Sequence, residues 1–270
     1  MSQGQKEVKQ DWWGGFNLEQ GGSGCWRIGP GTFRIERMSH EWRVVYHRGE
    51  DPQETALSVE IPSPDGCLAG DDDDVTRIGT GGTQDSITVM PALADKPVVV
   101  RPEKPFYLMP GEGVTMYVAT PLWFQLYRGK SSTRLYDQPV YLPSLTWFGP
   151  STTEGELCYA SRVFGRLEYE EIVYCPNRAC TAILLKNESN DSVLIERFNL
   201  PVPNLSLFRS EEGNLWTQGV ALEIQGGVAE SSLKLGASVP EQVGPAGPVA
   251  DPRRKAGQKI LSKALKYLIN

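Results

Sequence analysis

The stretch "TFRIER", from Thr32 to Arg37, alternates strictly, with Phe33 and Ile35 on one side and Thr32, Arg34 and Glu36 on the other. "EWRVVY" repeats the pattern with Trp42, Val44 and Tyr46. A period of two does not suit a helix; it describes strands with one buried face. Runs at 114–118, 122–127, 157–160, 171–175, 181–186, 193–200, 205–209 and 220–225 read as further strands. The 28 Gly and 20 Pro supply the turns between them, as in "MPGEG", "NESND" (Asn187 to Asp191) and "EEGN" (Glu211 to Asn214). Short strands with regular turns predict an all-β, sandwich-like fold. The expected organisation is an N-terminal β subdomain at 12–101 and a C-terminal one at 102–235. The segment 62–82, "PSPDGCLAGDDDDVTRIGTGG", is too polar and Gly-rich for core and reads as an excursion.

After residue 235 the pattern changes. Residues 236–251 are rich in Pro, Gly and Ala and read as a flexible linker. Residues 252–270 read as a basic amphipathic helix. At about 100° per residue, Lys255, Lys259, Lys263 and Lys266 share one arc. Ala256, Ile260, Leu261, Ala264, Leu265 and Leu268 share the opposite side. Asp251 suits the helix cap and Pro252 the first helical position. Of the 27 basic residues, six lie from Arg253 onward with no acid among them, leaving 21 against 33 acidic residues before it. A body that acidic disfavours nucleic acid, whose binding rests on clustered Lys and Arg. So short a helix needs a surface to cover its apolar side. Three fit: its own body or a second copy, a membrane surface, or a groove on a partner. Asp71, Asp72, Asp73 and Asp74 form an acidic patch on which the tail could dock.

Chemistry is harder to find. Two His, no G-x-S-x-G elbow and no paired zinc-ligand spacing leave no catalytic or metal signature, and no cofactor is expected. "EYEE" (Glu168 to Glu171) offers carboxylates without fixing their separation. The first residues lack an apolar leader core, so a cytoplasmic chain with reduced cysteines is expected. Cys175 and Cys180 bracket a four-residue loop that would set them opposite each other in a hairpin, a candidate redox pair. Cys25, Cys67 and Cys158 read as isolated small residues. Seven Trp, with Trp12 and Trp13 adjacent so that one faces out of a strand, also allow a sugar-binding face.

Three stretches carry a family likeness: "KPFYLMPGEGVTMYVATPLWFQLY", "LTWFGPSTTEGELCYASRVF" and "TAILLKNESNDSVLIERFNLPVPNLSLFRSEEGNLW". They resemble a prokaryotic domain family of unknown function. Its marks are a Pro-Gly turn before a hydrophobic strand, a "YG-x-P-x-x-G-x-x-C" element and an Asn-rich hairpin followed by Pro. Here Phe148 stands where the family has Tyr. The likeness spans about 102–225, with a looser match at "WRIGPGTFRIERMSHEW", and leaves the basic tail outside. It implies a β-rich intracellular domain without established catalytic residues, some of whose relatives accompany small-conductance mechanosensitive channels. Residues and resemblance together predict a non-enzymatic interaction module docking through its tail to a membrane surface or membrane protein. The alternative is a carbohydrate-binding or hydrolytic sandwich with an aromatic and carboxylate cleft.

Overall fold

The computed structural model describes residues 11–67, 73–80, 85–129, 133–149, 151, 153–161, 164–225 and 227–255. The chain is all-β: among the described residues the helical segments are three 3-10 turns of three residues each. A five-stranded antiparallel sheet runs in the order Leu57–Glu60, Ser23–Ile28, Gly31–Arg37, Glu41–Arg48, Asp74–Gly79. The alternation that predicted its central strands is realised. Phe33, Ile35, Trp42 and Val44 are buried, and the residues between them are partly exposed.

This sheet packs against a larger one built around Gly113–Arg128. The sequence reads two strands here. They form one continuous strand whose partners change after Pro121, a residue without the N–H of a regular ladder, which is where the sequence pattern breaks. Before that point the strand pairs with Arg178–Asn187; after it, with Ser86–Leu93 and Arg134–Pro139. Phe124 projects from its second half into the interface. Its ring stacks on Phe33 at 4.2 Å and lies 6.0 Å from Trp12 and 6.2 Å from Trp26. One hydrophobic core thus draws on both the 12–101 and 102–235 segments. A four-stranded sheet, Leu145–Phe148, Glu156–Ala160, Val98–Val100 and Phe198–Leu200, completes the body with the pair Phe106–Leu108 and Val193–Ile195.

Several expectations are corrected. The 62–82 excursion contains the strand Asp74–Gly79, which extends the five-stranded sheet against Glu41–Arg48. It is an exposed edge, so no buried face imposes alternation on its sequence. The linker is not a free tether in its second half. Ala246–Ala250 pairs with Leu207–Ser210 at the edge of the large sheet, where Pro248 is tolerated. Residues 171–175 are a 3-10 turn and irregular chain rather than a strand. "NESND" closes a loop, not a hairpin, since Val193–Ile195 pairs with Phe106–Leu108. Asn187 organises that loop by donating to the Leu108 and Asp191 carbonyls, each at 2.8 Å. Residues 251–255 lie outside any helix, so Asp251 and Pro252 do not start one. Positions 256–270 of the expected amphipathic helix lie outside the described residues.

Candidate functional site

The tail begins from a fixed root. The Arg253 guanidinium meets Asp137 in a two-pronged ion pair, Nη1 to Oδ2 at 2.6 Å and Nη2 to Oδ1 at 2.8 Å. Its Nε donates to the Leu93 carbonyl, and its plane lies over Trp123, 5.7 Å from the ring centroid. Such planar, charge-assisted pairing suits Arg and not Lys. Arg254 follows: its backbone N–H donates to the Pro203 carbonyl at 2.9 Å, and its Nη2 to the Asp95 carbonyl at 3.2 Å. Asn204 Nδ2 donates back to the Arg254 carbonyl at 3.1 Å. Trp123 in turn contacts Tyr159, with centroids 5.5 Å apart. Tyr159 donates its hydroxyl proton to Asp95 Oδ1 at 2.9 Å, and Lys96 donates to Asp95 Oδ2 at 2.7 Å. Burial is the largest influence on Asp95 and works against its charge, but these two hydrogen bonds, the Lys96 charge and a backbone hydrogen bond together hold its carboxyl below the usual range.

A second feature is a cleft of about 400 Å³. One wall is Asp11, Trp12 and Trp13; another is Leu57, Ser58 and Val59 on the edge strand of the five-stranded sheet. Tyr174, Pro176 and Arg178 also line it, as does Asn214 of the "EEGN" turn. Trp12 is buried against Phe124 while Trp13 stays partly exposed; the two precede the first strand, and their rings meet edge to face at 5.5 Å rather than pointing to opposite faces of one. Among the described lining residues the single carboxylate is Asp11, and Arg209 holds it at 2.7 Å. The walls can stack a flat or ring-shaped ligand. They do not present the pair of carboxylates that glycoside hydrolysis requires.

Comparison with known families decides the kinship. The family described as "Protein of unknown function (DUF432)" matches residues 12–269. The chain belongs to this family. No curated protein and no solved structure matches it. The DUF432 match is wider than the likeness read from 102–225, and it takes in the basic tail, which that likeness left outside.

The remaining predicted positions of this DUF432 chain fall as follows. Lys255 is the last described residue, directly after the clamp. Lys259, Ile260, Leu261, Lys263, Ala264, Leu265, Lys266 and Leu268 lie outside the described residues, as do Asp71 and Asp72. Asp73 Oδ1 accepts from His47 Nδ1 at 2.9 Å, and Asp74 opens the edge strand opposite Tyr46. Cys175 and Cys180 are both buried and free. The hairpin that would oppose them is absent; Cys180 instead pairs in register with Ala119 and Trp216. The bonded cysteines are Cys25 and Cys67, which corrects the expectation of five thiols. Among the described residues, no three His, Cys, Asp or Glu side chains gather as a metal-binding group. None of the described helices is long and apolar enough to cross a membrane. Sequence reasoning missed Arg253 and Arg254 as anchors because it counted them only as tail charge; their partners Asp137 and Asp95 are distant in the chain.

Burial pushes the thiols of Cys158 and Cys180 up, each to about 12. The folded state therefore prefers both thiols neutral. Their stabilising contribution is full below the ordinary thiol range and is lost as pH rises through the interval up to about 12. Denaturant midpoints should fall when the pH is raised from 8 into that interval, and Cys158→Ala and Cys180→Ala should reduce the fall. An unchanged slope in both variants would refute the assignment.

Proposed function

We propose that this DUF432 chain is a non-catalytic interaction module whose basic C-terminal segment engages an anionic membrane surface. The observation that carries the reading is the clamp at Arg253 and Arg254. It fastens the cationic segment to one spot on an acidic body, so that binding by the segment holds the whole body at the membrane. The segment after Lys255 carries Lys259, Lys263 and Lys266, no acid, and an apolar stripe. That combination suits a helix lying in the headgroup region. A membrane protein, such as the mechanosensitive channels that the family likeness brings in, could use the same segment.

The test is co-sedimentation with phosphatidylserine vesicles, comparing the full chain with one ending at Lys255. Truncation at Asp251 would be the wrong comparison, because it removes the clamp with the tail. Each lysine near an anionic surface contributes about 1 kcal/mol, so the shorter chain should bind on the order of a hundredfold more weakly, and less so in high salt. Equal partitioning of the two chains excludes the membrane reading.

The aromatic cleft supports a second reading, a carbohydrate-binding sandwich. Here Trp13 is the platform, and Trp13→Ala should abolish fluorescence quenching by soluble β-linked glucose or N-acetylglucosamine oligomers. If neither sugar series perturbs the native fluorescence, that reading has no support.

A further inference from the structure

We propose that residues 256–270 dock in cis, as a helix, on an apolar face formed by Leu145, Trp147 and Leu157. The proposal rests on the same segment as the membrane reading and gives it a resting position.

The face follows from strand register. Leu145 lies opposite Tyr159 and Trp147 opposite Leu157 in the antiparallel pair Leu145–Phe148 and Glu156–Ala160. Cross-strand partners, and residues two apart, share a side of the sheet. All four therefore point the same way. Tyr159 is buried, yet Leu145 is 59%, Trp147 41% and Leu157 43% exposed. Trp147 is already held, since its Nε1 donates to the Ser151 carbonyl at 2.7 Å, so covering it orders little that is free.

The occupant follows from where the described chain ends. Arg254 Nη2 donates to the Asp95 backbone carbonyl, and the Asp95 carboxylate accepts a hydrogen bond from the Tyr159 hydroxyl; Tyr159 lies opposite Leu145 across the ladder. The root and the face are thus linked through the side chains of Arg254, Asp95 and Tyr159. Fifteen residues follow Lys255. As a helix they span about 22 Å, longer than the roughly 13 Å of a four-residue strand. Ile260, Leu261, Ala264, Leu265 and Leu268 supply an apolar stripe to set against the face, and the lysines stay outward over an acidic body. The family match runs to residue 269, so the family's sequence pattern includes the tail. One stripe cannot face the body and a bilayer at once, so docking competes with membrane binding.

Hydrogen exchange on the full chain tests this, comparing the native sequence with Leu145→Gln/Leu157→Gln, which leaves the net charge unchanged. Both positions are exposed, and an unchanged thermal midpoint will verify the fold. Amides in 256–270 should be protected at least about tenfold in the native chain, equivalent to 1.4 kcal/mol of docking, and the double variant should remove that protection. Removing residues 256–270 should independently speed exchange in 145–148. With vesicles of phosphatidylcholine and phosphatidylserine, the double variant should bind several times more tightly. Unprotected 256–270 amides in the native chain, or protection that survives the double variant, overturns the proposal. Weaker vesicle binding by the double variant also overturns it, because the face itself would then be meeting lipid. If no form binds vesicles but protection behaves as stated, the docking stands and the membrane reading alone fails.

Discussion

Replacing Phe124 by Ala should cost the fold about 3–5 kcal/mol, the range for emptying a buried aromatic site. Phe124 is fully buried and stacks on Phe33, its nearest ring, with Trp12 and Trp26 just beyond. It is the point where the large sheet grips the five-stranded sheet. Its neighbours are rigid rings, Phe33 and Trp26 on the facing sheet and Trp12 just before the first strand, so the vacated volume cannot be refilled by small rotamer changes. Urea unfolding will read the effect as a shift of midpoint at constant slope. A cycle with Phe33→Ala should show coupling of about 0.5–1.5 kcal/mol beyond the separate losses. A loss for Phe124→Ala under about 1 kcal/mol would mean that the sheets do not meet there.

The parts of this fold that were legible in the sequence are those where burial imposes a pattern. Gly31–Arg37 and Glu41–Arg48 each set one face on the core, so alternation gave away both their type and their inner residues. Asp74–Gly79 and Ala246–Ala250 are edge strands held by backbone hydrogen bonds. Backbone pairing leaves no side-chain signature, and Pro248 argued for a linker. The same distinction governs the candidate sites. A stripe of lysines and leucines can be read locally, whereas which of Trp12 and Trp13 stays exposed could not be, because neither lies in a strand. The clamp could not be read this way, because Asp137 stands 116 positions from Arg253 and only the folded topology joins them.

The cysteines make the same point with the second large effect. Cys25 lies in the strand Ser23–Ile28, and Cys67 comes 42 positions later, with 6.3 Å between their Cα atoms. That spacing lies within the range a disulfide spans. Closing a loop of this length restricts the unfolded chain, an effect worth about 4 kcal/mol on the loop-entropy account. Both residues are almost wholly buried, at 0% and 3% exposure, which also limits attack by external thiols. Replacing both with Ser should therefore lower stability by about that amount and leave a chain whose midpoint no longer responds to reductant. The untreated chain, denatured without reductant, should present three reactive thiols, those of Cys158, Cys175 and Cys180. Reduction should raise that to the five cysteines of the sequence. Five thiols before reduction would return the chain to the all-reduced state expected from its sequence. Three thiols alongside a midpoint indifferent to the double replacement would instead mean that the bond closes a loop already ordered in the unfolded chain.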